Sequence, residues 1–575
     1  MKKTIATVLL LAFFVCALAS CGGKRPAETT GPTAAATSGE PAETTAQTTV
    51  ETTAEETVET TADPWEDIAP MVTIMAERLR KLRFEISTYG DAEKSSKNQP
   101  YIAGPDAIED GVTPVIEQLV YQRNKNADEL LQTSIEYVFW DDLRWAKQAA
   151  RIIELVQGNA VDAPDLFVNG MYDLNKVLLT VGAFRDIWSI RGSFFDFDAE
   201  GWMKQWMEDM SFTGDRAYVL GGDYFMDLLR TISVLPFNVD LMDENAVKLA
   251  PAILSEGESL GTGEDLSTRF FDLVEEGKWT WDTLGKLCEA VWSDTDGDGQ
   301  DSIGDVLGVL GDTYISMTAA IYCYSNGERI FETRIIEDPS SAYNGKRWIY
   351  YPEAMEVLED IFDAVSSVYT GSGSLATSAP VDGATPENPG LAYHWIKFAQ
   401  SETLFAGACV LGTLEDEAFQ QMQDLFSVVP LPKVSSDQKY NSLIHDTGDA
   451  GAINVNVAPL KAKVISAYLQ YAVEHSKAIR TEFMQTVTKY KTAVYNQGTD
   501  RMLELIYDSV VGGRDKMIEN VVGGNVKWHE ELKNSGFTYT SSDFVTVYQA
   551  NYPSKQNVLN DILRKWYSYP KEENQ

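Results

Sequence analysis

From Leu82 to Gly170, short runs of β-branched and aromatic residues alternate with a longer stretch whose apolar positions recur every three or four residues. "LRFEISTYG", "TSIEYVFW" and "DLFVN" have the length and composition of strands. Between the last two, "DLRWAKQAARIIELVQGN" puts Trp145, Ala149, Ile152 and Val156 on one helical face, and Gly158 stands where such a helix is expected to stop. Strands alternating with helices predict α/β layers. Further strands are expected in "AYVLGGD", "VLPFNVD", "GACVLGT", "FSVVPLP" and "GAINVNV", and beyond Lys461 the pattern becomes mostly helical. "WTWDTLGKLCEAVW" predicts a helix capped by Thr280 or Asp282, with Cys288 buried beside Leu284, Leu287 and Val291. Trp279 and Trp281, and the helically spaced Trp202 and Trp206, read as core. No internal repeat is visible.

The amino terminus departs from this pattern. Lys2 and Lys3 precede an apolar run from Ile5 to Ala19 that is shorter than the roughly 20 residues a membrane span needs, so residues 1–20 are expected to be an export signal. The run ends in Leu18, Ala19, Ser20 and Cys21, which resembles the lipobox of bacterial lipoproteins. That resemblance implies cleavage before Cys21 and acylation of it, palmitate included. Buried acyl chains contribute about 0.8 kcal/mol per methylene, enough to hold a multiply acylated chain at the extracellular face of a Gram-positive cell membrane. Residues 21–64 follow as a stalk. Lys24 to Asp63 contains 13 threonines and eight acids and almost nothing large and apolar, so it cannot bury enough surface to offset its conformational entropy and is expected to be disordered.

Charge narrows the partners. The formal net charge is −39, and loss of Lys2 and Lys3 with the signal takes it to −41, which makes nucleic acid an unsuitable partner. Of five cysteines, Cys16 leaves with the signal and Cys21 carries lipid; the remaining three, Cys288, Cys323 and Cys409, are scattered and odd in number, against a disulfide framework. The remaining chain, about 510 residues, is long enough for two or three domains.

The sharpest motif is "DTDGDGQDSIGD", Asp294 to Asp305. Aspartates occupy positions one, three, five and twelve, with Gly299 at position six, the spacing of a calcium loop of the EF-hand type. Asp294, Asp296, Asp298, Gln300 through its carbonyl, Ser302 and Asp305 are the expected calcium ligands. A helix leads in, but "IGDVLGVLGDTY" leads out with a strand-like or irregular character, so calcium is expected to fix a loop and not to move a lever. Asp305 is shorter than the usual glutamate, which predicts weak affinity.

Several segments, in order, carry a wider resemblance: "GVTPVIEQLVYQRNKNADELLQTSIEY", "DLFVNGMYDLNKVLLTVGAFRDIWSI", "AYVLGGDYFMDLLRTISVLPFNVDLMDE", "FFDLVEEGKWTWDTLGKL", the aspartate loop and "FSVVPLPKVSSDQKYNS". Their order, from about Leu82 to Tyr569, resembles that of extracellular solute-binding lipoproteins of bacterial ABC importers, the family that includes many sugar-binding proteins. The resemblance implies an α/β, two-domain periplasmic-binding-protein-like fold (type II) with a hinge and a helical C-terminal region. It also implies a ligand held between the domains and delivered to an ABC transporter permease. It places lobe 1 at residues 65–235 and 404–449 and lobe 2 at 236–403 and 450–575, a hinge at Pro236, Phe237 and Asn238, and "LFAGACVLG" along the cleft, where Gly407 and Gly412 permit close approach.

A carbohydrate needs flat apolar faces flanked by groups that bond its hydroxyls. Among 13 tryptophans most must be core, and the cleft positions implied are Trp188, Tyr224 and Trp395, with Asp223 as hydroxyl acceptor. Enzyme motifs are absent from the sequence: no G-x-S-x-G, H-E-x-x-H, C-x-x-C or phosphate loop occurs, and the four histidines are far apart. A solute-binding role without catalysis is therefore expected. The alternatives are a glycoside hydrolase, which needs only two of the 86 carboxylates, and a surface adhesin or matrix-binding module.

Overall fold

The computed structural model describes residues 63–76, 82–87, 99–140, 147–314, 316–326, 329–352, 356–378, 392–489, 497–522, 527–538 and 541–569. The signal, Cys21, nearly all of the stalk and Trp145 lie outside them. Asp63 to Gln575 forms one compact unit, and no described helix is long and apolar enough to cross a membrane. Fourteen strands are described: β1 (Leu82–Ser87), β2 (Ile135–Trp140), β3 (Leu166–Gly170), β4 (Ser233–Asn238), β5 (Leu307–Asp312), β6 (Glu332–Ile335), β7 (Arg347–Tyr350), β8 (Ser374–Thr377), β9 (Thr403–Phe405), β10 (Cys409–Val410), β11 (Phe426–Val429), β12 (Ser442–Leu443), β13 (Asp449–Ile453) and β14 (Val510–Val511).

Two mixed sheets organise the unit. The first has the order β13-β3-β1-β2, with β1, β2 and β3 parallel and β13 antiparallel to β3. Burial follows position: β3, inside the sheet, is buried at every residue, Asn169 included, whereas β2, at the edge, buries only Trp140 fully. The second sheet has the order β10-β4-β9-β5-β8, with β11 on β4. In it β5 runs parallel to β8 and β9, while β4 is antiparallel to β9, β10 and β11. This is the mixed α/β architecture that the alternating pattern predicts.

Local readings hold in detail. The helix Lys147–Gln157 buries Ala149, Ile152 and Val156, the predicted face. Its end differs by one residue: Asn159, not Gly158, takes the left-handed conformation, at φ 46°. The helix Trp281–Val291 starts at Thr280, whose hydroxyl accepts from the Thr283 amide at 3.3 Å. Trp279 and Trp281 are core, their indole N–H groups donating to the Pro430 carbonyl at 2.9 Å and to Asn326 at 3.0 Å. Trp202 and Trp206 are buried, and Cys288, Cys323 and Cys409 are buried free thiols. "AYVLGGD" is not a strand; a bridge from Leu220 to Gly451 links it to the first sheet.

Sheet membership corrects the expected lobes. The expected lobe 1 includes residues 404–449, yet β9, β10 and β11 pair with β4 and β5 in the second sheet. The expected lobe 2 includes residues 450–575, yet β13 completes the first sheet beside β3, and the helix Pro459–Glu474 packs on the helices Trp65–Ala76 and Val115–Leu131. The reason is edge filling: β3 needs a partner on its open side, and a returning strand supplies it. The hinge assignment also moves. Pro236, Phe237 and Asn238 lie in β4, fully buried and paired on both edges, so they cannot absorb a rotation. The chain passes between sheets just before β4, at Thr231 and Ile232. Here the returning segment runs alongside, His445 donating its amide to the Thr231 carbonyl at 2.9 Å and Ile444 bridging to Ile232.

Candidate functional site

Ligands of open α/β sheets bind beyond the carboxyl ends of parallel strands. At that end of β3 the chain turns directly into the helix Met171–Val181, whose first amides are already engaged: Met171 donates to the Gly448 carbonyl at 2.9 Å and Tyr172 to the Asp446 carbonyl at 2.7 Å. Around Asp446 lies a buried polar cluster. Its carboxylate pairs with Lys516 at 2.5 Å and accepts from Asn520 at 2.7 Å, and Lys516 lies 3.3 Å from His445 Nε2. Burial would by itself raise the Asp446 carboxyl, but the Lys516 ammonium and His445 bring it well below the usual range. Burial, reinforced by Lys516, pushes both His445 and His529 down to about 3, so both rings are neutral at ordinary pH. His529 Nδ1 sits 3.2 Å from the Tyr324 hydroxyl.

Of the four expected ligand-contacting residues, three are buried. Asp223 is fully buried and spoken for: it pairs with Arg480 at 2.6 Å and accepts from the Tyr507 hydroxyl at 3.0 Å, and burial pushes its carboxyl up to about 6 against both. It is a structural ion pair and not a free acceptor. Tyr224 is also fully buried, its ring 4.7 Å beneath the Arg123 guanidinium and edge-on to Phe225 and Tyr468. Trp395 is only 5% exposed, on the helix Tyr393–Ala399, its ring 4.7 Å from that of His394. These three are corrected to core, because the packing of neighbouring elements covers them. "LFAGACVLG" is buried from Leu404 to Leu411, with only Gly412 half-buried; Gly407, at φ 70°, is needed because a Cβ there would stand 2.7 Å from the Leu310 carbonyl oxygen.

Trp188 alone keeps an open face. It is 36% exposed on a short 3-10 turn, Ile187–Ser189, capped by Asp186, which accepts from the Trp188 amide at 3.2 Å. Its indole lines a pocket of about 370 Å³. Phe195 and Phe197 share that wall, stacked at 5.0 Å and 24°, with Trp202 edge-on behind both. Met207 adds an apolar surface, and Asp196, Asp198, Glu208 and Lys204 complete the lining. The segment is fixed from behind: Asp196 donates its amide to Gln470 at 2.9 Å and the Trp202 indole donates to the same oxygen. The arrangement offers flat apolar faces and carboxylate acceptors around one ligand-sized space. Sequence reading missed all of these but Trp188. The signal was present in "GSFFDFDAEG", where aromatic and acidic residues alternate with no helical or buried-strand period.

The aspartate loop lies between the helix Trp281–Val291 and β5, so a strand does follow it, as expected. Asp294, Asp296 and Asp305 bring carboxylate oxygens within 4.8 Å of one another; Asp298 is outside that group and accepts from the Gln300 amide at 2.8 Å. The loop also satisfies itself. Both oxygens of Asp294 accept amides, from Gly297 and Gly299, and those of buried Asp305 accept from Thr295 at 2.8 Å and Ser302 at 2.9 Å. Ser302 reaches Asp296 at 3.3 Å. The donor set, three convergent carboxylates with spare lone pairs, fits a hard cation such as calcium.

No family model and no curated protein matches the chain. Solved structures do. The uncharacterized protein lmo0859 of Listeria monocytogenes is 10% identical over 84% of this chain and 100% of that one, with a TM-score of 0.48. The GacH receptor of Streptomyces glaucescens, solved free and with acarbose, is 12% identical over 86% and 100%, at 0.41. A cyclo/maltodextrin-binding protein with maltotetraose is 11% identical over 86% and 99%, at 0.43. The likeness is one of fold alone.

Proposed function

We propose that this chain is a solute-binding protein that captures a carbohydrate and takes part in its import without transforming it. The observation that supports the reading best is the pocket at Trp188, where an exposed indole and a stacked phenylalanine pair stand beside carboxylates. Aromatic faces cover the C–H surface of a pyranose, and carboxylates accept from its hydroxyls. Lipid attachment through Cys21 and delivery to an ABC permease complete the proposal; they rest on the lipobox and the ordered segments of the sequence. Tethering would raise the concentration of loaded protein near the permease.

Titration calorimetry with a panel of neutral oligosaccharides tests the reading, with chromatography of the mixtures afterwards. At least one saccharide is expected to bind and to be recovered intact. Trp188→Ala should weaken it about tenfold, equivalent to about 1.4 kcal/mol, with little change in melting temperature because the side chain is exposed. Absence of binding at millimolar sugar, or cleavage of the sugar, would overturn the reading. We also propose the aspartate loop as a structural calcium site, held by Asp294, Asp296 and Asp305.

A further inference from the structure

The charge balance of the Trp188 pocket goes further than a general affinity for sugars. Three carboxylates, Asp196, Asp198 and Glu208, face one ammonium, Lys204. Lys204 is taken by Asp198, with which it forms a close ion pair, and its ammonium is held above the usual range by Asp198 first and then by Glu208 and Asp196. Asp196 and Glu208 form no ion pair among the described residues. Beside these uncompensated charges lies an aromatic wall whose faces carry negative quadrupole potential.

We propose that this pocket selects a ligand bearing a protonated amine, namely an amino sugar or an oligosaccharide containing one. The proposal rests on the carbohydrate reading above and sharpens it. An ammonium group placed against Trp188 gains a cation–π contact, and the same group within reach of Asp196 or Glu208 gains a charge-assisted hydrogen bond. A neutral sugar gains the stacking but leaves the excess negative charge where it was. A uronate, sulfate or phosphate ester would be repelled by it. N-acetylation of the amine removes the charge while keeping nearly the same ring, so it isolates the effect.

The test is calorimetry of the full chain with three tetrasaccharides: the β-1,4-linked glucosamine tetramer, its fully N-acetylated counterpart and cellotetraose. The glucosamine tetramer is expected to bind at least about tenfold tighter than the other two, by a margin that narrows as salt screens the carboxylates. Asp196→Asn combined with Glu208→Gln, both at exposed positions, should abolish the margin by weakening the glucosamine tetramer far more than cellotetraose, since the amide oxygens still accept from hydroxyls but no longer carry charge. Equal affinity for all three tetramers would overturn the amine selectivity and leave the carbohydrate reading standing. A margin that survives the double substitution would likewise overturn it, because the pocket would not be its source. If the glucosamine tetramer fails to bind while a neutral saccharide of the panel binds, the amine selectivity falls and the carbohydrate reading stands; if no saccharide binds at all, both fall.

Discussion

His445 and His529 show how a single side chain is governed by what packs on it. Both are almost fully enclosed, share the neighbourhood of Lys516 and Asp446, and stay neutral down to about pH 3. Unfolded, each would take up a proton near pH 6.5. A folded-state value below the unfolded one means that stability is complete above about pH 6.5 and is lost as pH falls toward 3. The loss approaches about 1.4 kcal/mol per pH unit for each ring. Thermal melts between pH 7 and pH 4 should therefore show a fall in melting temperature that His445→Gln makes shallower; an unchanged slope would remove His445 from the acid response. Asp223 works the other way, since its raised carboxyl favours the fold at low pH and loses that contribution as pH rises through about 6. The residue scale also explains why site reading from sequence erred. Asp223 and Trp395 sit in polar-looking segments, but an ion pair to Arg480 and a covering of neighbouring side chains are long-range facts.

At the scale of elements, the stretch from Trp281 to Asp312 behaves as one piece. The helix Trp281–Val291 lies so close to β5 that a Cβ on Gly308 would come 2.2 Å from the Cys288 Cα, and the aspartate loop is the turn that joins the two. A cation there would stiffen this junction without reaching Trp188. An extracellular site with Kd of ~0.1 to 1 mM would contribute about 0.6 to 1.8 kcal/mol at ~2 mM calcium. Chelation should lower the melting temperature modestly and leave sugar affinity unchanged, and Asp296→Ala should abolish that difference. Identical melting curves in calcium and in chelator would leave the loop as a turn closed by its own hydrogen bonds. Elements such as this helix and Lys147–Gln157 were legible in advance because their apolar period and caps are local.

The whole molecule is laced by its last helix, Ser541–Ser568. Along its length it packs on β7 and the helix Glu356–Tyr369, with Lys555 paired to Glu519 at 2.9 Å and Asn560 accepting from the Trp348 indole at 2.9 Å. Its end reaches the helix Met171–Val181 beside the first sheet. There Trp566 is buried 4.9 Å from Phe212 and 5.0 Å from Tyr218, donating to Thr213 at 2.9 Å, while Arg216 binds the carbonyls of Trp566 and Tyr569. Trp566→Ala should cost about 3 to 5 kcal/mol in denaturant unfolding and raise amide exchange first at residues 212–218. Protection there equal to the parent would show that the helix end is not what anchors that segment.

The sequence by itself determined what depends on neighbours within a turn or two. This includes the alternation of strands and helices, the face and cap of single helices, the burial of Trp279, Trp281 and Cys288, and the strand-like exit from the aspartate loop. Tertiary structure alone decided which sheet each later strand joins. An antiparallel partner for β3 can be drawn from anywhere along the chain, and β13 arrives from far downstream of it. It alone decided, too, which aromatic residues face water. Trp188 and Trp395 look alike in sequence, and only the packing of elements distant along the chain covers one and leaves the other beside a pocket.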